Sequence, residues 1–204
     1  MFPSPLYAIL DTGFCKDRSP AAILGEFMMA GVKLVQLRAK EQSSGEFFAL
    51  AKEARRVTRP AGATFIVNDR ADIALACNAD GVHLGQDDLP LAAARKILGR
   101  EKIIGISTHD LTQAREAETN GADYIGFGPI FGSATKNTGF TARGLDMLRE
   151  IRAAVKIPIV AIGGITESNV AEVWNAGADS AAVISHLMEA EDVATKVKRI
   201  LAVE

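Results

Sequence analysis

Apolar residues along the chain follow two alternating rhythms. Short runs rich in β-branched residues occupy 6–10, 33–38, 64–68, 81–85, 102–107, 124–128, 158–163 and 180–185. Segments with apolar positions three or four apart lie between and after them, at 20–30, 44–58, 71–76, 90–98, 111–119, 143–153, 168–175 and 192–201. The first rhythm predicts buried strands and the second predicts amphipathic helices. Eight strand–helix beats in succession predict parallel strands joined by right-handed crossovers, and eight is the number that closes a barrel. The expected architecture is therefore an α/β fold, a single (βα)8 TIM barrel, with residues 1–204 in one domain. A doubly wound open sheet is the competitor and fits less well, because no GxGxxG follows the first strand.

A short internal echo supports the eight beats. Asn78-Ala79-Asp80-Gly81, Asn120-Gly121-Ala122-Asp123 and Asn175-Ala176-Gly177-Ala178-Asp179 each precede a strand. Gly121 and Gly177 stand where a helix must stop, and Asn78 takes that place in the first copy.

Functional groups in such a barrel gather at the C-terminal ends of the strands. The second run ends Gln36-Leu37-Arg38-Ala39-Lys40. Alternation sends Gln36, Arg38 and Lys40 to one side, two cations and an amide suited to clamping an anion. The alternative is a solvated strand end carrying salt bridges. The third run ends Asn68-Asp69 and the fourth leads into Gln86-Asp87-Asp88. Two neighbouring strands ending in carboxylates gain nothing from a core and suit a shared hard cation, for which Asp69 and one acid of the 87/88 pair would serve. The alternative for each is a helix cap, and Asp87 reads as such a cap or as solvated. Ser107 closes the fifth run, with Thr108 or Asp110 placed to cap the next helix. His109 reads either as a general base lacking an acid partner or as a surface residue. The connection 128–139 carries Ser133, Thr135 and Lys136, which suit a phosphate, against a plain surface loop. Gly163-Gly164 after the seventh run and Ile184-Ser185 after the eighth occupy the usual phosphate loops of barrels. His83, inside a strand, reads as a hydrogen-bonded core residue, and Met28 and Met29 read as packing.

Composition narrows the classes further. A formal net charge of −2 provides neither a basic footprint for nucleic acid nor a polybasic membrane patch. The N-terminal MFPSPLYAIL has no basic region followed by a long apolar stretch, so no membrane span is expected. Cys15 and Cys77 match no metal-ligand spacing and read as idle thiols of a cytoplasmic protein.

Taken in order, Gln36 to Lys40, Val67-Asn68-Asp69, Gly81 to Asp88, Ser107-Thr108-His109, Gly126 to Phe131, Thr135-Lys136, Ala161 to Ile165 and Val183-Ile184-Ser185 make the chain similar, along almost its whole length, to the thiamine phosphate synthase family. The resemblance implies an Mg²⁺-dependent transferase. It would join 4-amino-2-methyl-5-hydroxymethylpyrimidine diphosphate to a thiazole phosphate, with C–O cleavage first and attack by the thiazole nitrogen on a pyrimidine cation afterwards. It implies that Gln36, Leu37, Arg38, Ala39, Lys40, Asn68, Ser107 and Lys136 contact the pyrimidine diphosphate. Arg38, Lys40, Ser107 and Lys136 would be the catalytic set among them. Asp69 and Asp88 would take the metal, and Ser133, Ala134, Thr135, Gly164, Ile184 and Ser185 would hold the thiazole phosphate. Two positions depart from the family pattern: Ser133 stands where Thr is usual and His186 where Ala is common. A related isomerase, the thiazole tautomerase, shares the barrel but tends to lack the diphosphate and metal set. Arg38, Lys40, Asn68, Asp69 and Asp88 argue against it, and against a silent phosphate-binding barrel.

Overall fold

A computed structural model of the chain describes residues 2–132 and 141–203. Eight parallel strands close into a barrel in sequence order: β1 (Leu6–Asp11), β2 (Leu34–Arg38), β3 (Thr64–Asn68), β4 (Gly81–Leu84), β5 (Ile103–Thr108), β6 (Tyr124–Phe127), β7 (Ile159–Ile162) and β8 (Ser180–Val183). Pairing of Leu6 with Ala181 and Ala8 with Val183 completes the ring. Around it lie α1 (Pro20–Met29), α2 (Ser44–Thr58), α3 (Ala71–Ala76), α4 (Leu91–Leu98), α5 (Leu111–Thr119), α6 (Gly144–Ala154), α7 (Val170–Asn175), α8 (Ser185–Met188) and α9 (Val193–Leu201). The barrel is the one expected, and the open sheet is excluded.

Local chemistry explains where the helices begin. Ser19 caps α1 ahead of Pro20, and Ser43 and Glu46 form a reciprocal capping box on α2. Asp110, not Thr108, caps α5 by accepting from the Gln113 amide at 2.8 Å. The strands are buried on both faces: Leu6, Ala8 and Leu10 pack outward against helices while Tyr7 and Ile9 face the lumen. Met28 packs against the core, but Met29 is 80% exposed and so does not serve the packing role expected of it. No helix among the described residues is long and apolar enough to cross a membrane. Cys15 and Cys77 are unpaired and buried, and burial raises both thiols above their ordinary pKa.

The internal echo has a structural purpose. Asn78, Gly121 and Gly177 take positive φ values of 55°, 85° and 104°, ending α3, α5 and α7. Each following Asp then repeats one clamp. Asp80 accepts from the Phe65 amide at 2.8 Å and pairs with both terminal nitrogens of Arg55 on α2. Asp123 accepts from the Ile104 amide at 2.7 Å and from one terminal nitrogen, Nη2, of Arg95 on α4 at 2.6 Å. Asp179 accepts from the Ile159 amide at 2.8 Å and from Nη1 of Arg152 on α6 at 2.9 Å. Each clamp ties a helix to the start of the next strand and to the strand after that, all at the N-terminal rim. Asp80→Ala removes three charge-assisted bonds, so it should lose about 2–3 kcal/mol in urea denaturation. Its turnover should stay unchanged, because the clamp lies at the barrel end opposite the site described below.

Candidate active site

The lumen opens toward the C-terminal strand ends into a cavity of about 400 Å³. Inward positions of every strand reach it, as alternation requires. Its floor is polar. Gln36 Nε2 donates to Tyr7 Oη at 2.9 Å, and Tyr7 Oη lies 3.0 Å from Tyr124 Oη. Tyr124 Oη lies 2.9 Å from His83 Nδ1, whose Nε2 lies 2.9 Å from Ser107 Oγ. A continuous chain of hydrogen bonds therefore crosses the barrel from β2 to β5. Two glycines make room for it: a Cβ on Gly105 would fall 2.1 Å from Tyr124 Cζ, and one on Gly126 would fall 2.9 Å from His83 Cε1. Burial pushes both tyrosines well above their ordinary pKa, so both phenols stay protonated. Asn68 completes this side of the cavity.

The charged groups stand one step further toward the strand ends. Arg38 Nη1 pairs with Asp11 Oδ2, and Asp11, at the end of β1, is only 3% exposed. Lys40 Nζ pairs with Asp69 Oδ2. Asp69 sits at φ 62°, and its amide donates to the His83 carbonyl at 2.8 Å. Burial raises the pKa of its carboxyl. Lys40 works against the rise, and the Asp88 carboxylate within hydrogen-bonding reach adds to it. Asp88 is fixed from below by the Gly85 amide, which donates to its Oδ2 at 2.7 Å. Two acids sharing one place, on a residue in the left-handed region, match the donor set of a hard cation that completes its shell with water and ligand oxygens. Among the described residues no group of three or more His, Cys, Asp or Glu offers a fuller metal site. Asp87 is exposed.

On the far side Gly164, Ile184 and Ser185 line the cavity. The Gly163-Gly164 turn is shaped by its neighbours, since a Cβ on Gly163 would fall 2.6 Å from Pro129 Cβ and one on Gly164 2.8 Å from the Gly132 carbonyl oxygen. These glycines thus let residues 128–132 lie against β7, apart from any ligand. His186 also lines the cavity; its Nε2 meets Glu167, whose carboxyl is held down to about 2, chiefly by Lys196 Nζ at 2.6 Å.

The structure therefore brings together Gln36, Asn68 and Ser107 on one wall and Gly164, Ile184 and Ser185 on the other. Lys40, Asp69 and Asp88 cluster with one another, while Arg38 is engaged by Asp11. Leu37 and Ala39 are buried in the core and leave only backbone for a ligand. Ser133, Ala134, Thr135 and Lys136 lie outside the described residues. Of the two readings of His109, the surface one does not hold: it lines the cavity, with Nδ1 2.8 Å from the Gly128 carbonyl oxygen. Tyr7, Asp11 and Tyr124 escaped the sequence reading, and His83, read as core, reaches the cavity.

Comparison with known proteins shows the family. The family described as thiamine monophosphate synthase matches residues 6–187. The thiamine-phosphate synthase of Moorella thermoacetica is 49% identical over 195 residues, 96% of this chain and 93% of that protein. That of Chloroflexus aurantiacus is 47% identical over 197 residues, 97% of this chain and 91% of its own. A solved thiamine phosphate pyrophosphorylase from Pyrococcus furiosus superposes with a TM-score of 0.88 at 40% identity, covering 96% of this chain and 92% of that one. The chain belongs to the thiamine monophosphate synthase family.

Proposed function

We propose that this chain, a transferase of the thiamine-phosphate synthase kind, joins 4-amino-2-methyl-5-hydroxymethylpyrimidine diphosphate to a hydroxyethylthiazole phosphate or its carboxylated form. Residues 1–204 act as one domain in the cytoplasm, where two unpaired thiols persist. The observation that carries the reading is the cluster of Lys40, Asp69 and Asp88, with Arg38 at the end of β2, on the C-terminal side of the barrel beyond the residues that line the cavity. A diphosphate leaving group gathers negative charge as its C–O bond breaks, and fixed positive groups aimed at it lower that barrier. Gln36, Asn68 and Ser107 orient the pyrimidine end in the cavity, and the backbone of Leu37 and Ala39 supports them. Arg38 offers its planar fork and Lys40 its point charge to the diphosphate. The family resemblance assigns Lys136 to the same anion and Ser133, Ala134, Thr135, Gly164, Ile184 and Ser185 to the thiazole phosphate.

Asp69 and Asp88 would hold Mg²⁺. When bound, that ion supplies charge neutralisation on the diphosphate oxygens. Releasing Lys40 from Asp69 in its favour would free the ammonium for the anion. No nucleophilic side chain is needed, because the pyrimidine cation is trapped by the thiazole nitrogen. Incubation of purified protein with both substrates should give thiamine phosphate and pyrophosphate, and EDTA should stop the reaction. No product with any divalent ion would reject this reading.

A further inference from the structure

The hydrogen-bond chain under the cavity has one arrangement in which each group's proton goes to the next group along it. Gln36 Nε2–H donates to Tyr7 Oη, so the single Tyr7 proton is free for Tyr124 Oη. The single Tyr124 proton then goes to His83 Nδ1, which must be unprotonated to accept it. His83 accordingly carries its hydrogen on Nε2 and donates to Ser107 Oγ. That leaves the Ser107 hydroxyl to donate into the cavity. At the opposite end Gln36 Oε1, without a partner among the described residues, is left as an acceptor. Both tyrosines are buried and neutral, so neither phenol can lose its proton to escape the count. The five groups reverse together or not at all.

From this we infer that Tyr124 is a positioning residue: through Tyr7 it locks the Gln36 carboxamide with its oxygen toward the ligand, and so makes the site select a 4-aminopyrimidine diphosphate over its 4-oxo counterpart. The inference rests on the reading of Gln36 as a pyrimidine contact and adds the origin of its selectivity. An exocyclic amine donates to Gln36 Oε1. A 4-oxo group sets one acceptor against another in a buried place, and the carboxamide cannot turn over to answer it without turning the whole chain. Sites built around such a polar match reject the mismatched analogue strongly, whereas sites that merely fit its shape do not.

Tyr124→Phe cuts the chain. Tyr7 can then donate to Gln36 Oε1, and the carboxamide turns at little cost to present its NH₂ instead. The experiment compares kcat/KM for the 4-amino and 4-oxo pyrimidine diphosphates in parent and variant, with the thiazole phosphate KM as control. The parent should prefer the amine by about 10²-fold or more. In Tyr124→Phe that preference should shrink at least about tenfold while the thiazole KM stays within about twofold. Equal losses on both pyrimidines, with the preference intact, overturn the inference, since a merely structural role would act that way. If Tyr124→Phe fails to fold, Tyr7→Phe poses the same question, because it leaves Gln36 without its anchor. If the parent proves unable to make thiamine phosphate, calorimetric binding of the two pyrimidine diphosphates replaces turnover. A preference that collapses in the variant then upholds the inference while the proposed reaction fails. Absence of any binding by the parent overturns both.

Discussion

Replacing Asp69 by Asn should cut turnover about 10³-fold and stabilise the fold at once. The carboxyl of Asp69 titrates above the ordinary carboxylate value because it is buried; Lys40 offsets part of the rise, and Asp88 adds to it. An acid that binds its proton more tightly folded than unfolded favours the folded state at low pH, and that contribution disappears as pH rises through the raised value. At neutral pH without a divalent ion, ionised Asp69 therefore works against stability. Asn removes the charge and, of the neutral replacements, best tolerates φ 62°. Lys40 is half-exposed and solvates readily when released. Thermal unfolding at pH 7.5 in EDTA should show a Tm higher by roughly 2–4 °C, the shift that a change of about 1 kcal/mol produces in a chain of this size. The difference should fade as pH drops below the ordinary carboxylate range. Turnover should fall about 10³-fold, the loss expected when several kcal/mol of charge stabilisation vanish. In the parent, protons should compete with Mg²⁺, weakening its apparent affinity toward acid pH. A variant that turns over like the parent, or melts lower, contradicts the assignment.

Arg38→Ala should cost both activity and stability, and the two losses should be separable. The side chain is the partner of Asp11, whose carboxylate is almost wholly buried at the end of β1. Removing the guanidinium leaves that charge uncompensated, at a cost of about 3 kcal/mol, or roughly 6–12 °C in Tm. Adding Asp11→Asn should restore most of the stability, because the amide still accepts from the Gly13 amide that Asp11 Oδ1 now serves at 3.0 Å. It should restore none of the activity. Both forms should retain about 10⁻² of the parent kcat, since the fork aimed at the diphosphate is gone. Recovery of activity with stability would make Arg38 a structural residue only.

Much of this was legible in the chain because the signals are local. The period-two and period-3.6 segments place β3, α2, α3 and α5 at the very bounds observed. The acids and cations at strand ends were visible as residues a core has no use for. The four-residue α8 was not, since so short a helix shows no period. The floor of the cavity was hidden for another reason: Tyr7 and Tyr124 are 117 residues apart, and each alone looks like an ordinary core aromatic. Counting along β1 would have helped, because Tyr7, Ile9 and Asp11 share the inward face. Gly163-Gly164 looked like a phosphate loop, yet the close approach it permits is to Pro129 and Gly132.

The Arg–Asp clamps imply a modular interior. Each encloses one helix–strand–helix–strand segment: Arg55 to Asp80, Arg95 to Asp123, Arg152 to Asp179. A backbone nick in the turn after β4 would fall between two such segments and sever none of them. A nick in the turn between α5 and β6 would part Arg95 from its carboxylate. Circular permutants opened at the first place should assemble, and those opened at the second should struggle, so the joints of the barrel coincide with the loops that carry its chemistry.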